Sequence, residues 1–303
     1  MKVFVTGAAG YIGGAVASAL RASGHDVVAL VRSPQKADHV RALGFEPALG
    51  TLDDGELLAR LAASCDAVID TANAEHAASV EALLTALAGS GKPFIRTSGS
   101  SVVGDLAWGE GGGRVFEDDT PFEPGPGRAA RVAIDRRVRA AARDGVRSAV
   151  ILPSLIYGPG RDVEHESSQV PRFFALARKY GVARHVGRGE NQWSNVHIDD
   201  LADLYLRVLA GAPAGALYYA ANGENSMREL AESVSRALGF GGRTRDMSRE
   251  ESVAEFGEGP AAYTYGSNSR VRSVRARREL GWAPRHDALL SSIDAAGGRA
   301  QPA

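Results

Sequence analysis

Apolar residues in the first half of the chain come in short unbroken runs, not in alternation with polar ones. Lys2-Val3-Phe4-Val5, Asp26 to Val31, Phe45 to Leu49, Ala67 to Asp70, Pro93 to Thr97 and Ser148 to Leu152 are of this kind. Such runs predict strands buried on both faces, the signature of a parallel sheet. Helical patterns lie between them, at Ala15–Leu20, from Arg32-Ser33-Pro34-Gln35-Lys36 through Leu43, and at 53–61, 75–87 and 128–143. Strand and helix in turn predict an α/β fold, a doubly wound sheet with right-handed crossovers and helices on both faces. Residues 105–127, rich in Gly and Pro, break this rhythm as a long loop. Beyond Leu152 the pattern loosens. Helices are expected at 169–179, 199–210, 226–238 and 273–280, and short strands near 183–186, 195–198 and 217–220.

The first strand runs into Thr6 and three glycines spaced by three, Gly7, Gly10 and Gly13. A tight turn, a backbone that must approach a ligand and a helix packed closely on its strand each favour a residue without a Cβ. Helix N–H groups near Tyr11 and Ile12 would then face a pyrophosphate. The context of strand, glycines and helix predicts a bound dinucleotide.

Composition narrows the partners. Charged residues make up 23% of the chain and the net charge is −1, so the overall balance favours neither nucleic acid nor an anionic membrane. The basic stretch Ser267 to Arg278 is read as a solvated helix, not a nucleic-acid patch. No apolar run is long enough to span a bilayer, and the start of the chain reads as a strand, not a signal peptide. Cys65 is the single cysteine, expected as a small buried hydrophobe, so no intrachain disulfide can form. These features predict a cytoplasmic protein with a small-molecule substrate, and they leave a homodimer open.

Five segments, in this order and spacing, carry a family resemblance. They are Thr6 to Gly13, Thr97-Ser98-Gly99-Ser100-Ser101-Val102-Val103-Gly104-Asp105, Pro153-Ser154-Leu155-Ile156-Tyr157-Gly158-Pro159-Gly160, Val196 to Ala202, and Arg278-Glu279-Leu280-Gly281-Trp282-Ala283-Pro284. Together they resemble the extended short-chain dehydrogenase/reductases, the NAD-dependent epimerase/dehydratase group. The resemblance implies a Rossmann domain over 1–160, completed by about residues 190–220, and a small, discontinuous C-terminal α+β substrate lobe within 161–303. It also implies a catalytic Ser/Thr and a Tyr-x-x-x-Lys pair. This chain departs there: the tyrosine position falls on Gly127, the lysine position on Arg131 and the serine position on Gly99.

Cofactor and chemistry follow from the residues at these places. Members that prefer NAD carry an acidic residue after the second strand, whereas this chain has Arg32, followed by Ser33 and Lys36. An arginine pairs with a 2′-phosphate, so NADP is expected over NAD. Leu52-Asp53 resembles the pair that contacts adenine, although Thr51 to Asp54 would equally cap the next helix. Thr71, Ala72, Asn73 and Thr97 are expected along the cofactor, with Pro153 to Ile156 near the nicotinamide. Without the tyrosine, the candidates for proton transfer are Ser98, Ser100, Tyr157 and His165, with Arg131 as an electrostatic anchor that cannot deprotonate. His197 is read as a core histidine, and Trp193 stands where relatives acting on nucleotide sugars carry a basic residue. His165 and its neighbours Glu164 and Glu166 do not converge on one ion, so no metal is expected. The resulting expectation is an NADP-dependent oxidoreductase acting on a small or medium carbonyl or hydroxyl metabolite. The alternatives are an epimerase or dehydratase with a recycled nucleotide, and a sensor that holds NADP(H) without turnover.

Overall fold

The structure is a computed structural model and describes residues 1–161 and 167–297. In its first half β1 (Lys2–Thr6), α1 (Tyr11–Ala22), β2 (Asp26–Val31), α2 (Pro34–Ala42), β3 (Glu46–Leu49), α3 (Gly55–Ser64), β4 (Ala67–Asp70), α4 (Ala77–Leu87) and β5 (Pro93–Thr97) alternate. After the two-residue strand β6 (Val115–Phe116) come α5 (Ala129–Ala140), β7 (Arg147–Pro153) and β8 (Leu155–Tyr157). Next are α6 (Gln169–Tyr180), β9 (Ala183–Val186), β10 (Gln192–His197), α7 (Ile198–Gly211), β11 (Ala216–Ala220), β12 (Gly223–Ser226) and α8 (Met227–Ala237). The chain ends with β13 (Thr244–Met247), α9 (Arg249–Phe256), a π turn (Ala261–Tyr265), β14 (Arg270–Val271), α10 (Val274–Leu280) and α11 (Leu289–Gly297).

Seven parallel strands form the central sheet in the order β11-β7-β5-β4-β1-β2-β3. The chain moves outward from β1 to β3, then returns to the other side of β1 as β4. The strand ends part at that reversal, where open α/β sheets bind ligands. Alternate residues of each strand feed opposite cores: Val3 and Val5 pack with α1 and α7, while Phe4 packs with α3, α4 and α5. This two-sided burial is why the strands read as continuous apolar runs. A third cluster, with Leu155, Phe173, Trp193, Leu230 and Leu289, forms the smaller C-terminal α/β region.

The segment after Pro153 leaves the central sheet, and Leu155–Tyr157 pairs in parallel with β10 in a separate three-stranded sheet. One expectation shifts. The stretch 267–278 is a helix only from Val274. Ser267, Asn268, Ser269 and Val271 are buried with their polar groups paired: the Ser267 hydroxyl donates to the Tyr263 carbonyl, Asn268 N–H to Asp105, the Ser269 hydroxyl to the Ser100 carbonyl and Val271 N–H to Ser194 Oγ, while Gln192 N–H donates to Asn268 Oδ1.

Candidate active site

The glycine turn is shaped by contacts that leave no room for a Cβ. Gly7 has a φ of +73°, a conformation glycine adopts without strain. A Cβ on Gly13 would stand 2.1 Å from the Gly7 carbonyl oxygen and 2.5 Å from Thr71 Oγ1. Thr71 is fixed there because its hydroxyl donates to the Thr6 carbonyl at 2.6 Å. The helix therefore sits directly on the turn, and the turn residues Gly7, Ala9 and Gly10 border a cleft of about 630 Å³. The cleft is lined by Gly7, Gly10, Arg32, Lys36, Leu52, Asp53, Thr71, Ala72, Asn73 and His76. A backbone cradle closed to side chains, beside a cleft at the strand reversal, fits a dinucleotide.

The other expected cofactor residues, Tyr11, Ile12, Gly13, Thr97, Pro153 and Ile156, are not in the lining of this cleft. Tyr11 leaves the first turn of α1 and donates its hydroxyl to the Gly158 carbonyl at 2.8 Å, joining the turn to the segment after β8. Ile12 packs against the core of the α1 face. The Thr97 hydroxyl is bonded to Tyr205 at 2.6 Å and so points into the interior. Pro153 ends β7, and Ile156 pairs with Val196. Asp53 does not cap α3. Asp54 does so, accepting from Leu57 N at 3.0 Å, while Asp53 lies 3.1 Å from His76 Nε2.

Behind the cleft lies a buried ionic network. The Arg96 side chain is wholly out of solvent between Asp135, at 2.8 Å, and Asp70, at 3.6 Å. Asp70 accepts from the Thr6 hydroxyl, and Asp135 from Ser98 Oγ, each at 2.6 Å. Burial pushes both carboxyl groups up, opposed by Arg96 and these hydroxyls. Sequence reasoning passed over Asp135, although it lies three residues from both Val132 and Val138 on the inward face of α5.

The expected proton-transfer groups are not brought together. Ser98 is committed to Asp135. Ser100 Oγ bonds Ser269 Oγ at 2.9 Å within the core. The Arg131 guanidinium pairs with Glu75 and donates to Ser101 Oγ at 3.3 Å, beside Gly99. Tyr157 lies buried edge-on to His197, in the smaller region, and burial raises its phenol to about 12. His165 lies outside the described residues. Trp193 is a core residue whose indole donates to the Ser267 carbonyl at 2.8 Å. His197, Asp199 and His286 come within 4.8 Å of one another. Asp199, however, takes two bonds from Arg161, and His197 Nδ1 accepts from the Asp199 N–H.

One aromatic residue that the sequence did not single out reaches the start of α5. Tyr263, on the π turn, lays its ring where a side chain at position 127 would begin: a Cβ on Gly127 would stand 2.7 Å from it, and one on Gly125 3.0 Å. The Gly127 N–H donates to the Tyr263 hydroxyl at 3.3 Å. The Arg128 guanidinium covers the same ring at 4.8 Å.

A seven-stranded, doubly wound sheet with a glycine cradle at its reversal defines a dinucleotide-binding α/β protein. The chain matches the model of the NAD dependent epimerase/dehydratase family over residues 3–220, and it belongs to that family. It is accordingly an NAD(P)-dependent enzyme of the oxidoreductase and epimerase/dehydratase class. Among its relatives is the oxidase ucsJ of an Acremonium species, 33% identical over 97% of this chain and 95% of that one. Similar solved structures include the dTDP-glucose 4,6-dehydratase of Bacillus anthracis in complex with NAD, with a TM-score of 0.78, 17% identity and coverage of 99% and 97%. A dTDP-glucose 4,6-dehydratase double mutant from Streptomyces venezuelae, with NAD and DAU bound, has a TM-score of 0.76, 22% identity and the same coverage.

The expectation of NADP is corrected by these comparisons, since the similar structures carry NAD. The reason Arg32 misleads is physical. It is exposed and, among the described residues, held by no hydrogen bond or ion pair. The Ser33 hydroxyl beside it is used to cap α2, accepting from Lys36 N at 3.3 Å. Arg32 borders the cleft together with Lys36, and a cation there does not by itself set the phosphate preference.

Proposed function

We propose that the protein uses NAD to exchange a hydride with a hydroxyl-bearing carbon of a nucleotide-sugar-like substrate. The nucleotide is retained and recycled, as in an epimerase or dehydratase. The observation that carries this reading is the glycine cradle beside the cleft, in a chain that follows a dTDP-glucose 4,6-dehydratase fold over nearly its whole length. In this reading Gly7, Gly10, Tyr11, Ile12 and Gly13 hold the pyrophosphate, and Leu52, Asp53, Thr71, Ala72 and Asn73 enclose the adenosine half. Thr97, Pro153 and Ile156 border the nicotinamide end. Bound NAD supplies a hydride acceptor at its nicotinamide ring. Arg131 holds Glu75 and Ser101 against the mouth of the site, and Ser98, oriented by Asp135, shapes the end of β5.

Two measurements test this. Protein purified without added nucleotide and then denatured should release NAD or NADH in near-stoichiometric amount. Incubation with dTDP-glucose or UDP-glucose, without added nicotinamide nucleotide, should give an altered sugar by nuclear magnetic resonance. A second reading, an oxidoreductase that consumes its nucleotide as co-substrate, is favoured by the likeness to the 2-alkyl-3-oxoalkanoate reductase of Stenotrophomonas maltophilia, 30% identical over 79% of this chain and 76% of that one. Release of no nucleotide, together with NADH consumption on a panel of small ketones, would select it.

A further inference from the structure

We propose that Tyr263, delivered from the C-terminal region, is the proton donor and acceptor of this active site, with its phenolate held by the Arg128 guanidinium. The inference rests on the hydride-exchange reading above.

Exchange of a hydride at a hydroxyl-bearing carbon requires a group that takes and returns the hydroxyl proton. The hydroxyls on β5 and just after it are engaged: Ser98 with Asp135, Ser100 with Ser269, and Ser101 with Arg131. Tyr157 faces His197 in the smaller region. The phenol of Tyr263 is placed differently. It stands just ahead of α5, against Gly127, which precedes Arg131 by four positions in the chain. Arg131 in turn reaches Ser101, just past the end of β5, and Glu75, just past the end of β4. Those strand ends form the ligand edge of the sheet.

Three further observations bear on this hydroxyl. Its one hydrogen bond among the described residues is accepted from the Gly127 N–H, so its own proton is free to be donated. Gly125 and Gly127 both lack the Cβ that would displace the ring, and neither has a positive φ that would by itself call for glycine. Arg128 lies over the ring, and its Nε is buried with no hydrogen-bond partner among the described residues. A buried, unpartnered donor beside a phenol is placed to stabilise negative charge there.

The step balances. In the oxidation direction the substrate O–H bond would break and its proton pass to the Tyr263 phenolate, while the hydride on the same carbon would go to the NAD of the functional reading above. In the return direction the Tyr263 O–H bond breaks, and the proton goes to the oxygen of the carbon that receives the hydride. No other oxidant or reductant is required.

The test compares variants with wild type in holoprotein. Tyr263→Phe should lower turnover of whichever substrate the panel above identifies by about 100- to 10,000-fold. NAD affinity, read by fluorescence, should stay within about twofold of wild type, because phenylalanine keeps the ring and loses only a neutral hydrogen bond. Arg128→Gln, which removes the cation over the ring, should lower turnover by about tenfold or more with NAD affinity likewise kept. Turnover in Tyr263→Phe within about threefold of wild type, or in Arg128→Gln equal to wild type, would overturn the assignment. Wild-type protein that turns over none of the panel defeats the functional reading, and the assignment with it.

Discussion

Arg96 enters the interior with its charge intact and is met there by two carboxylates and the Ala74 carbonyl. Such a group is stable only while its partners remain, since an uncompensated buried charge costs more than the pair contributes. Asp135→Ala should therefore destabilise the protein by about 3–5 kcal/mol in urea unfolding, with Asp135→Asn costing less because an amide oxygen still accepts from Arg96. At the glycine turn, Gly13→Ala forces a carbon against the Gly7 carbonyl and Thr71. It should cost about 1–3 kcal/mol of stability by overpacking and weaken NAD binding measurably in a fluorescence titration. An unchanged affinity would mean that the turn does not hold the pyrophosphate. The glycines were legible in the sequence because their constraint is local, set within a few residues of one turn. Asp135 was not, because nothing near it in the chain reveals that Arg96 and Ser98 come to meet it.

At the scale of elements, α7 shows how a cap couples to pH. His197 precedes the helix, and its Nδ1 accepts from the Asp199 N–H at 3.2 Å, which requires that nitrogen to be unprotonated. Burial, reinforced by the neighbouring His286, lowers its pKa below the ordinary 6.5, while Asp199 and Asp200 oppose the shift. His185 is lowered too, by burial and then by Arg228. Both groups bind a proton more readily in the unfolded chain, so their contribution to stability is full above about pH 6.5 and is lost as the pH falls toward their depressed folded values. Thermal melts should show Tm falling through that window, and His197→Asn should flatten the slope. An identical slope in the variant would assign the effect to other groups. The same helix carries Asp200, whose carboxylate accepts the backbone N–H of Arg285 at 3.0 Å and of His286 at 2.9 Å. The Asp199-Asp200-Leu201-Ala202 segment was legible as a motif, but what Asp200 holds depends on where the C-terminal segment returns.

For the molecule as a whole, the last third of the chain completes what the first two thirds begin. Trp282 is fully buried against α7, with its indole donating to the Asp200 carbonyl at 2.9 Å. Leu289 and Ile293 close the core of the smaller region, and Tyr263 reaches α5. Trp282→Ala should cost about 3–5 kcal/mol in chemical unfolding, which separates the structural tie at Trp282 from the chemical one proposed at Tyr263. Added NAD should raise the free energy of unfolding in proportion to the logarithm of its concentration, by about 2.7 kcal/mol at one hundred times its Kd, read as a shift of the unfolding midpoint.

The sequence alone determined the parallel sheet and the strand-turn-helix cradle, because each depends on periodicity or spacing within short stretches of chain, and five segments along it carried the resemblance to the family. It did not determine the cofactor's phosphate preference, since whether Arg32 is built into a site or left in solvent depends on what packs beside it. Nor did it determine the polar partners of the site. Gly127 meets Tyr263 from 136 positions away, and Ser100 meets Ser269 from 169. Contacts at such separations leave no periodic trace in either segment, and only the folding of the C-terminal region back onto the sheet brings them together.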